Sequence, residues 1–247
     1  MLTRTFLHIQ GIGETTERKI WRSGIQGWHD FVTAHDRGDL RGRRIESAIR
    51  DVVESIRQYD SGRWDYFDKS LPSHHKWRGF GDLGDQALYL DIETTGMGGE
   101  DEITVIGTYD GKEAKSFVAG DNLNEAIGEI ENHPLIVTYN GAQFDLPVIR
   151  RQFRCNLFNH IHIDLRFPLR RLGYVGGLKR IEEAFGIERS ARTKGLDGWD
   201  AVRLWREYEH GHDAALDLLL EYNREDIKNL EPLMHFVFRE MSKSLEL

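Results

Sequence analysis

The nine residues Leu88-Tyr89-Leu90-Asp91-Ile92-Glu93-Thr94-Thr95-Gly96 restrict this chain more than any other stretch. Side chains alternate along an extended strand, so Leu88, Leu90 and Ile92 share one face while Asp91 and Glu93 share the other. Two neighbouring carboxylates at the end of an apolar strand, just before a glycine turn, gain nothing in stability unless something positive binds there. A divalent metal is the obvious candidate. The plainer alternative is an edge strand with two solvated acids.

The chain has 247 residues, 39% of them hydrophobic, enough for one large domain or one domain with an appendage. The start, Met1-Leu2-Thr3-Arg4-Thr5-Phe6-Leu7-His8, has no apolar run long enough for a signal peptide, and no segment approaches a membrane span. Cys155 is the sole cysteine, so an internal disulfide is excluded. A cytoplasmic protein without membrane association is expected. The net charge of −8 argues against a general nucleic-acid coat, but charge is unevenly placed. From Arg150 to Lys194 eleven bases face four acids, so a basic stretch follows directly on an acidic one.

At the N-terminus, Gly11-Ile12-Gly13 reads as a tight turn leading into a helix, and backbone N–H groups at Gly11 and Gly13 are placed to hold a phosphate of DNA. About 25 residues here resemble a helix-hairpin-helix module, except that Glu17 stands where that module places a small residue for close packing. A purely structural helical hairpin is the other reading. Residues 40–59 carry Ile45, Ala48, Ile49, Val52, Val53 and Ile56 at helical spacing. Residues 1–60 are therefore expected as a helical region, 61–85 as a linker or irregular wrap, and 86–247 as the main domain. Within it, residues 87–93, 103–109 and 114–119 read as a strand meander. Helices are expected over 122–131 and 144–153, and strands over 135–139 and 160–165. The rest is mostly helical, giving an α/β fold with a mixed sheet flanked by helices.

Two further acids join the first pair. Asp145 follows the strand 135–139 and the Asn140-Gly141 turn; alone, an Asp at a helix start is ordinarily a cap. In the helix containing Tyr222-Asn223-Arg224-Glu225-Asp226, Leu219, Tyr222, Asp226 and Leu230 share one face, placing Asp226 within an apolar stripe. A buried carboxylate there is costly unless paired or bound to metal.

Asp91-Ile92-Glu93, Asn140-Gly141-Ala142-Gln143-Phe144-Asp145 and Tyr222-Asn223-Arg224-Glu225-Asp226 together resemble the three motifs of DEDD-superfamily 3′-to-5′ exonucleases, in the subclass with a Tyr four residues before the last Asp (DEDDy). The region is similar to the proofreading domain of family B DNA polymerases, and in layout to the ribonuclease H-like exonucleases of the YprB type. The resemblance implies a ribonuclease H-like fold and catalysis by Asp91, Glu93, Asp145, Asp226 and Tyr222. It also implies two Mg²⁺ or Mn²⁺ ions, in keeping with oxygen-only ligands. By that similarity Asp91 bridges both ions, Glu93 and Asp226 hold one, Asp145 supports the other, and Tyr222 orients the attacking water.

For Asn140 and Phe144, contact with a terminal nucleotide and plain roles as turn Asn and core Phe both stand open. Trp199 could stack on a base or simply pack. Arg170, Arg171, Lys179, Arg192 and Lys194 are candidate phosphate contacts, against the ordinary reading of solvated helix surface. None of the eleven histidines has metal-ligand spacing. The expected function is exonucleolytic hydrolysis of single-stranded DNA. The same chemistry on RNA and a non-enzymatic nucleic-acid-binding adaptor are the alternatives.

Overall fold

The alternation over residues 87–94 becomes the central strand of a five-stranded sheet. In the computed structural model, which describes residues 1–96, 101–155 and 159–245, the strands are β1 (Ala87–Thr94), β2 (Ile103–Tyr109), β3 (Ala114–Val118), β4 (Leu135–Thr138) and β5 (Ile161–Asp164). They stand in the order β3-β2-β1-β4-β5. The first three form an antiparallel meander, while β4 pairs parallel with β1 and β5 parallel with β4. The turn expected between β1 and β2 lies partly outside the described residues. Parallel neighbours need crossovers, supplied by α6 (Ala126–Glu131) before β4 and α7 (Asp145–Phe153) before β5.

Each face of β1 is buried by different partners. Leu88, Leu90 and Ile92 pack with Ile130 of α6 and with Leu146 and Ile149 of α7. Ala87 and Tyr89 instead belong to a core containing Leu230, Leu233, Met234 and Val237 of the long helix α11 (Asp213–Lys243). That second face ends in Asp91 and Glu93, so α11 is the element the acids look toward.

Residues 1–86 extend the same core. Here lie α1 (Glu14–Arg22), α2 (Trp28–Asp36), α3 (Arg43–Asp60), α4 (Trp64–Ser70), a 3-10 turn (Ser73–Gly79) and α5 (Phe80–Leu83). Phe6, Trp28, Phe31, Val52, Phe67 and Trp77 are buried in one cluster with Ala87, Leu135 and Ile161 of the sheet. The segment 61–85, read from sequence as a linker or wrap, is thus largely helical and contributes core side chains. The helical pair α1/α2 is joined by residues 23–27, and Gly11-Ile12-Gly13 precedes α1 rather than separating two helices. Glu17 is accommodated by a buried fork: Arg78 Nη1 and Nη2 donate to its two oxygens at 2.9 Å each, and the Phe6 N–H adds a third bond at 2.7 Å. No described helix is long and apolar enough to cross a membrane.

The remaining helices, α8 (Arg166–Arg171), α9 (Leu178–Phe185) and α10 (Gly198–Glu209), surround the open end of β1 and β4. Ala201, Leu204 and Trp205 of α10 pack with Leu219 and Tyr222 of α11 and Val105 of β2. This contact fixes the rotation of α11. The stripe expected on it, Leu219, Tyr222, Asp226 and Leu230, is buried throughout.

Candidate active site

Three distant segments deliver acids to one end of the sheet. Asp91 and Glu93 close β1, Asp145 opens α7 just after β4, and Asp226 projects from the middle of α11. Carboxylate oxygens of Asp91, Glu93 and Asp226 lie within 4.8 Å of one another. Asp145 lines the same cavity of about 160 Å³, together with Tyr139, Asn140, Phe144, Val202 and Tyr222. The ends of parallel strands and the turn after β4 leave this opening, as expected for a site at the carboxyl edge of an α/β sheet.

Burial dominates the electrostatics. It raises the carboxyl groups of Asp91 and Glu93 well above the ordinary range, and neighbouring acids push the same way: Asp145 and Asp226 on Asp91, chiefly Asp226 on Glu93. Asp145 is pushed up to about 7, again by burial first, against hydrogen bonds from backbone N–H groups. Asp226 reaches about 6, burial outweighing the opposing Arg189 charge. Tyr222 is likewise shifted upward by burial, so its hydroxyl stays protonated and can donate.

Asp145 is the first residue of α7 rather than its N-cap, which is Phe144, and its Oδ1 is buried without a hydrogen-bond partner. A buried, unpartnered carboxylate oxygen beside three other acids is a position that a bound cation would satisfy. The donor set fits that test, since four carboxylates with no sulfur or imidazole suit a hard divalent ion of the Mg²⁺ or Mn²⁺ kind.

Some of the repulsion is already relieved by groups that local sequence patterns did not flag. Asn223 Nδ2 donates to Asp91 Oδ2 at 3.0 Å and to Glu93 Oε1 at 3.4 Å. Its helical neighbour Asp226 lies three residues on, so helical spacing could have placed Asn223 near the site. Arg189 is bonded to Asp226 Oδ1 while its Nε and Nη2 grip both oxygens of Glu182 at 2.7 Å each. No local pattern signals this, because its partners sit on α9 and α11. Two cations stand over the Tyr222 ring, Lys179 Nζ at 4.7 Å and Arg189 Cζ at 5.3 Å from its centroid.

The other sequence-predicted residues divide into those at the cavity and those away from it. Asn140 and Phe144 line it. Asn140 sits in the left-handed region (φ 67°), its turn held by Asp164, whose carboxylate accepts the N–H groups of Asn140, Ala142 and Arg166. A groove of about 580 Å³ shares Tyr139 and Asn140 with the acid cavity and is lined further by Arg166, Arg170 and Tyr174. Lys179 stands over Tyr222, and burial lowers its pKa. Trp199 is 64% exposed, so it does not pack; the adjacent Gly198 lines the cavity.

Arg171 and Arg192 are engaged elsewhere: Arg171 Nη2 grips both oxygens of Glu14 at 2.9 and 3.0 Å, and Arg192 is bonded to Glu221 at 2.6 Å. Lys194 is exposed. Gly13 is the N-cap of α1, but the first helical residue is the acid Glu14, which opposes an incoming phosphate. Donor atoms of Glu14, His74 and His75 lie within 4.8 Å, a grouping that linear spacing did not suggest; the Glu14 carboxylate is occupied there by Arg171.

A family model described as RNase_H superfamily matches residues 88–237. Among curated proteins none matches. Similar solved structures include the family B DNA polymerase of the hyperthermophilic archaeon Pyrobaculum calidifontis (18% identity, 61% of this chain and 24% of that chain, TM-score 0.49). Escherichia coli RNase D, described as an exoribonuclease involved in structured RNA processing, is 16% identical over 70% of this chain and 44% of its own (TM-score 0.48). The Aedes aegypti Nibbler EXO domain is 13% identical over 70% of this chain and 86% of its own (TM-score 0.36). The matched region spans less than half the length of the first two.

Proposed function

The chain belongs to the RNase H superfamily, and from that premise we propose that it is a metal-dependent 3′-to-5′ exonuclease of the DEDDy type acting on single-stranded DNA. One observation carries the reading: four carboxylates from three separate segments converge on one cavity, and an oxygen of one of them, Asp145 Oδ1, is buried with no partner. Four mutually repelling acids are retained at a cost of a few kcal/mol per close pair at an effective dielectric of about 20, which a structural role does not repay.

Asp91, Glu93, Asp145 and Asp226 would hold two Mg²⁺ or Mn²⁺ ions. Bound there, such ions supply Lewis-acid stabilisation of the phosphodiester oxygens and lower the pKa of water. The chain's own side chains do the positioning. Tyr222, protonated and facing the cavity, donates a hydrogen bond that orients the attacking water. Asn140 and Phe144 border the place of the terminal nucleotide. Arg170, in the adjoining groove, meets the backbone phosphates next in line. Lys179 holds positive charge beside Tyr222, near where phosphate charge builds up. Exposed Trp199 is available for stacking on a base.

Incubating 5′-labelled single-stranded DNA and RNA oligonucleotides of one sequence with the protein and Mg²⁺ or Mn²⁺ tests this directly. Stepwise shortening of DNA from its 3′ end supports the reading. Shortening of RNA alone reassigns the substrate, and retention of both strands by an inactive protein identifies a binding adaptor.

A further inference from the structure

A buried ion pair at the cavity wall links one of the acids to α9. Arg189 reaches across from the segment after α9, its side chain only 6% exposed, and bonds to Asp226 Oδ1. It is not free to turn: both oxygens of Glu182, itself 2% exposed, hold its Nε and Nη2 at 2.7 Å each. Glu182 is fixed in turn by Asn229 Nδ2 at 2.9 Å, one turn of α11 beyond Asp226. Arg189 Nη1 is buried without a partner. The result is a rigid arm from α9 to α11 that ends on one oxygen of one cavity acid.

We propose that Arg189, clamped by Glu182, is a positioning residue for the divalent cation site: it pins Oδ1 of Asp226 so that Oδ2 is presented to the ion. The inference rests on the metal-dependent reading given above. An aspartate on a helix has rotatable χ1 and χ2, and freezing them before the ion arrives removes an ordering cost from binding. A planar, bidentately held guanidinium fixes direction as well as charge, which an ammonium on a flexible stem does not. Because Glu182 cancels the charge of Arg189, the arm orients Asp226 without adding net positive charge against the incoming cation.

The double variant Arg189→Gln with Glu182→Gln separates orientation from charge, since both the native pair and its replacement are neutral. Mn²⁺ is titrated into the full-length protein without nucleic acid, followed by calorimetry and by thermal shift. The half-saturating Mn²⁺ concentration is expected to rise about tenfold, as for loss of groups that orient metal ligands. Arg189→Lys, which keeps the charge and loses the fork, should fall between the two. Should the double variant not fold, Arg189→Lys alone decides: Mn²⁺ affinity equal to that of the parent overturns the inference. A folded double variant with parental affinity overturns it as well. Absence of any saturable Mn²⁺ binding by the parent protein overturns this inference and the metal-dependent reading together, whereas binding by the parent with no change in the variants sinks only the positioning role.

Discussion

A methyl group on Gly107 would stand 1.8 Å from Oδ1 of Asn223. Gly107 lies directly opposite Asp91 in the β1/β2 register, and Asn223 passes over it to reach the Asp91 and Glu93 carboxylates. A glycine in a central strand ordinarily weakens it; here it is the gap through which α11 approaches the acids. Gly107→Ala should therefore push Asn223 away, leaving Asp91 and Glu93 without their shared donor. A loss of ~1–3 kcal/mol is expected from overpacking, together with weaker divalent-ion binding. Urea melts alongside Mn²⁺ titration check this; a parental melt with parental affinity contradicts it.

Cation binding by the cavity acids is expected to make stability depend on metal in a pH-sensitive way. Asp145 and Asp226 have folded-state pKa values raised to about 7 and about 6, so their contribution is complete below the unfolded-state value near 4 and is lost as pH rises through the folded value. Above pH 7 the metal-free protein thus carries Asp145 and Asp226 as charged groups, and a bound cation would relieve their repulsion. Mg²⁺ or Mn²⁺ should raise Tm more at pH 8 than at pH 5.5, where protons compete. Asp91→Asn should shrink that rise at pH 8 by removing a ligand charge. Equal metal shifts at the two pH values would count against the cation site.

Buried histidines work in the opposite sense. Burial depresses His8 to about 3 and His160 to about 4, so both remain neutral in the folded protein. Their contribution is present above the unfolded value near 6.5 and is lost as pH falls below it, because the unfolded chain takes up protons the folded one does not. At pH 5 the loss is on the order of 2 kcal/mol per histidine. With EDTA present, His8→Gln, which can keep the bond now made to Ser55 Oγ at 2.7 Å, should flatten the acid side of the stability profile. An unchanged slope between pH 6.5 and 5 would show that His8 does not titrate on unfolding.

The N-terminal helices are joined to the sheet through shared core residues, which bears on truncation. Deleting residues 1–35 removes Leu2, Phe6, Trp21, Trp28 and Phe31 from the cluster that also contains Ala87 and Leu135. Large core truncations cost ~3–5 kcal/mol per aromatic, more than a typical domain's margin can absorb. The shortened chain should fail to give a cooperative melt. A cooperative melt near the parental Tm would establish residues 36–247 as independently stable.

Tyr222 separates packing from chemistry. Its ring packs among Leu219, Leu204 and Val105, and its edge lines the acid cavity. Phe preserves the packing, so Tyr222→Phe should keep stability and metal affinity while single-turnover cleavage falls ~10- to 1000-fold, the effect of one lost transition-state hydrogen bond. Asp226→Asn should also weaken metal binding. An unchanged Tyr222→Phe rate assigns the hydroxyl no part in the reaction.

Periodicity made much of the architecture legible. The alternation in residues 87–93 and the stripe Leu219-Tyr222-Asp226-Leu230 fixed which faces would be buried, and the meander followed from strands joined by short turns. Asp91, Glu93 and Asp226 were readable because they sit within apolar patterns, whereas Asp145, at a helix start, was picked out only by the resemblance of its motif. What stayed hidden depends on contacts between segments far apart in the chain. Arg189 reads as one more base in a basic stretch until Glu182 and Asp226 are brought beside it. Arg171 reads as a phosphate contact until Glu14, 157 positions earlier, takes both its bonds. Glu17 interrupts a hairpin pattern until Arg78 fills the gap beneath it. Charge pairing over long sequence separation leaves no periodic trace.

The central claim, that the converged acids form a nuclease centre, is tested most directly by end-labelled single-stranded DNA incubated with Mn²⁺, with the parent protein and Asp91→Asn run in parallel. A ladder of products shortening one nucleotide at a time from the 3′ end is expected, abolished by EDTA and absent with Asp91→Asn, although the variant stays folded. Intact DNA and RNA after prolonged incubation with metal-loaded parent protein, or equal cleavage by Asp91→Asn, would contradict it.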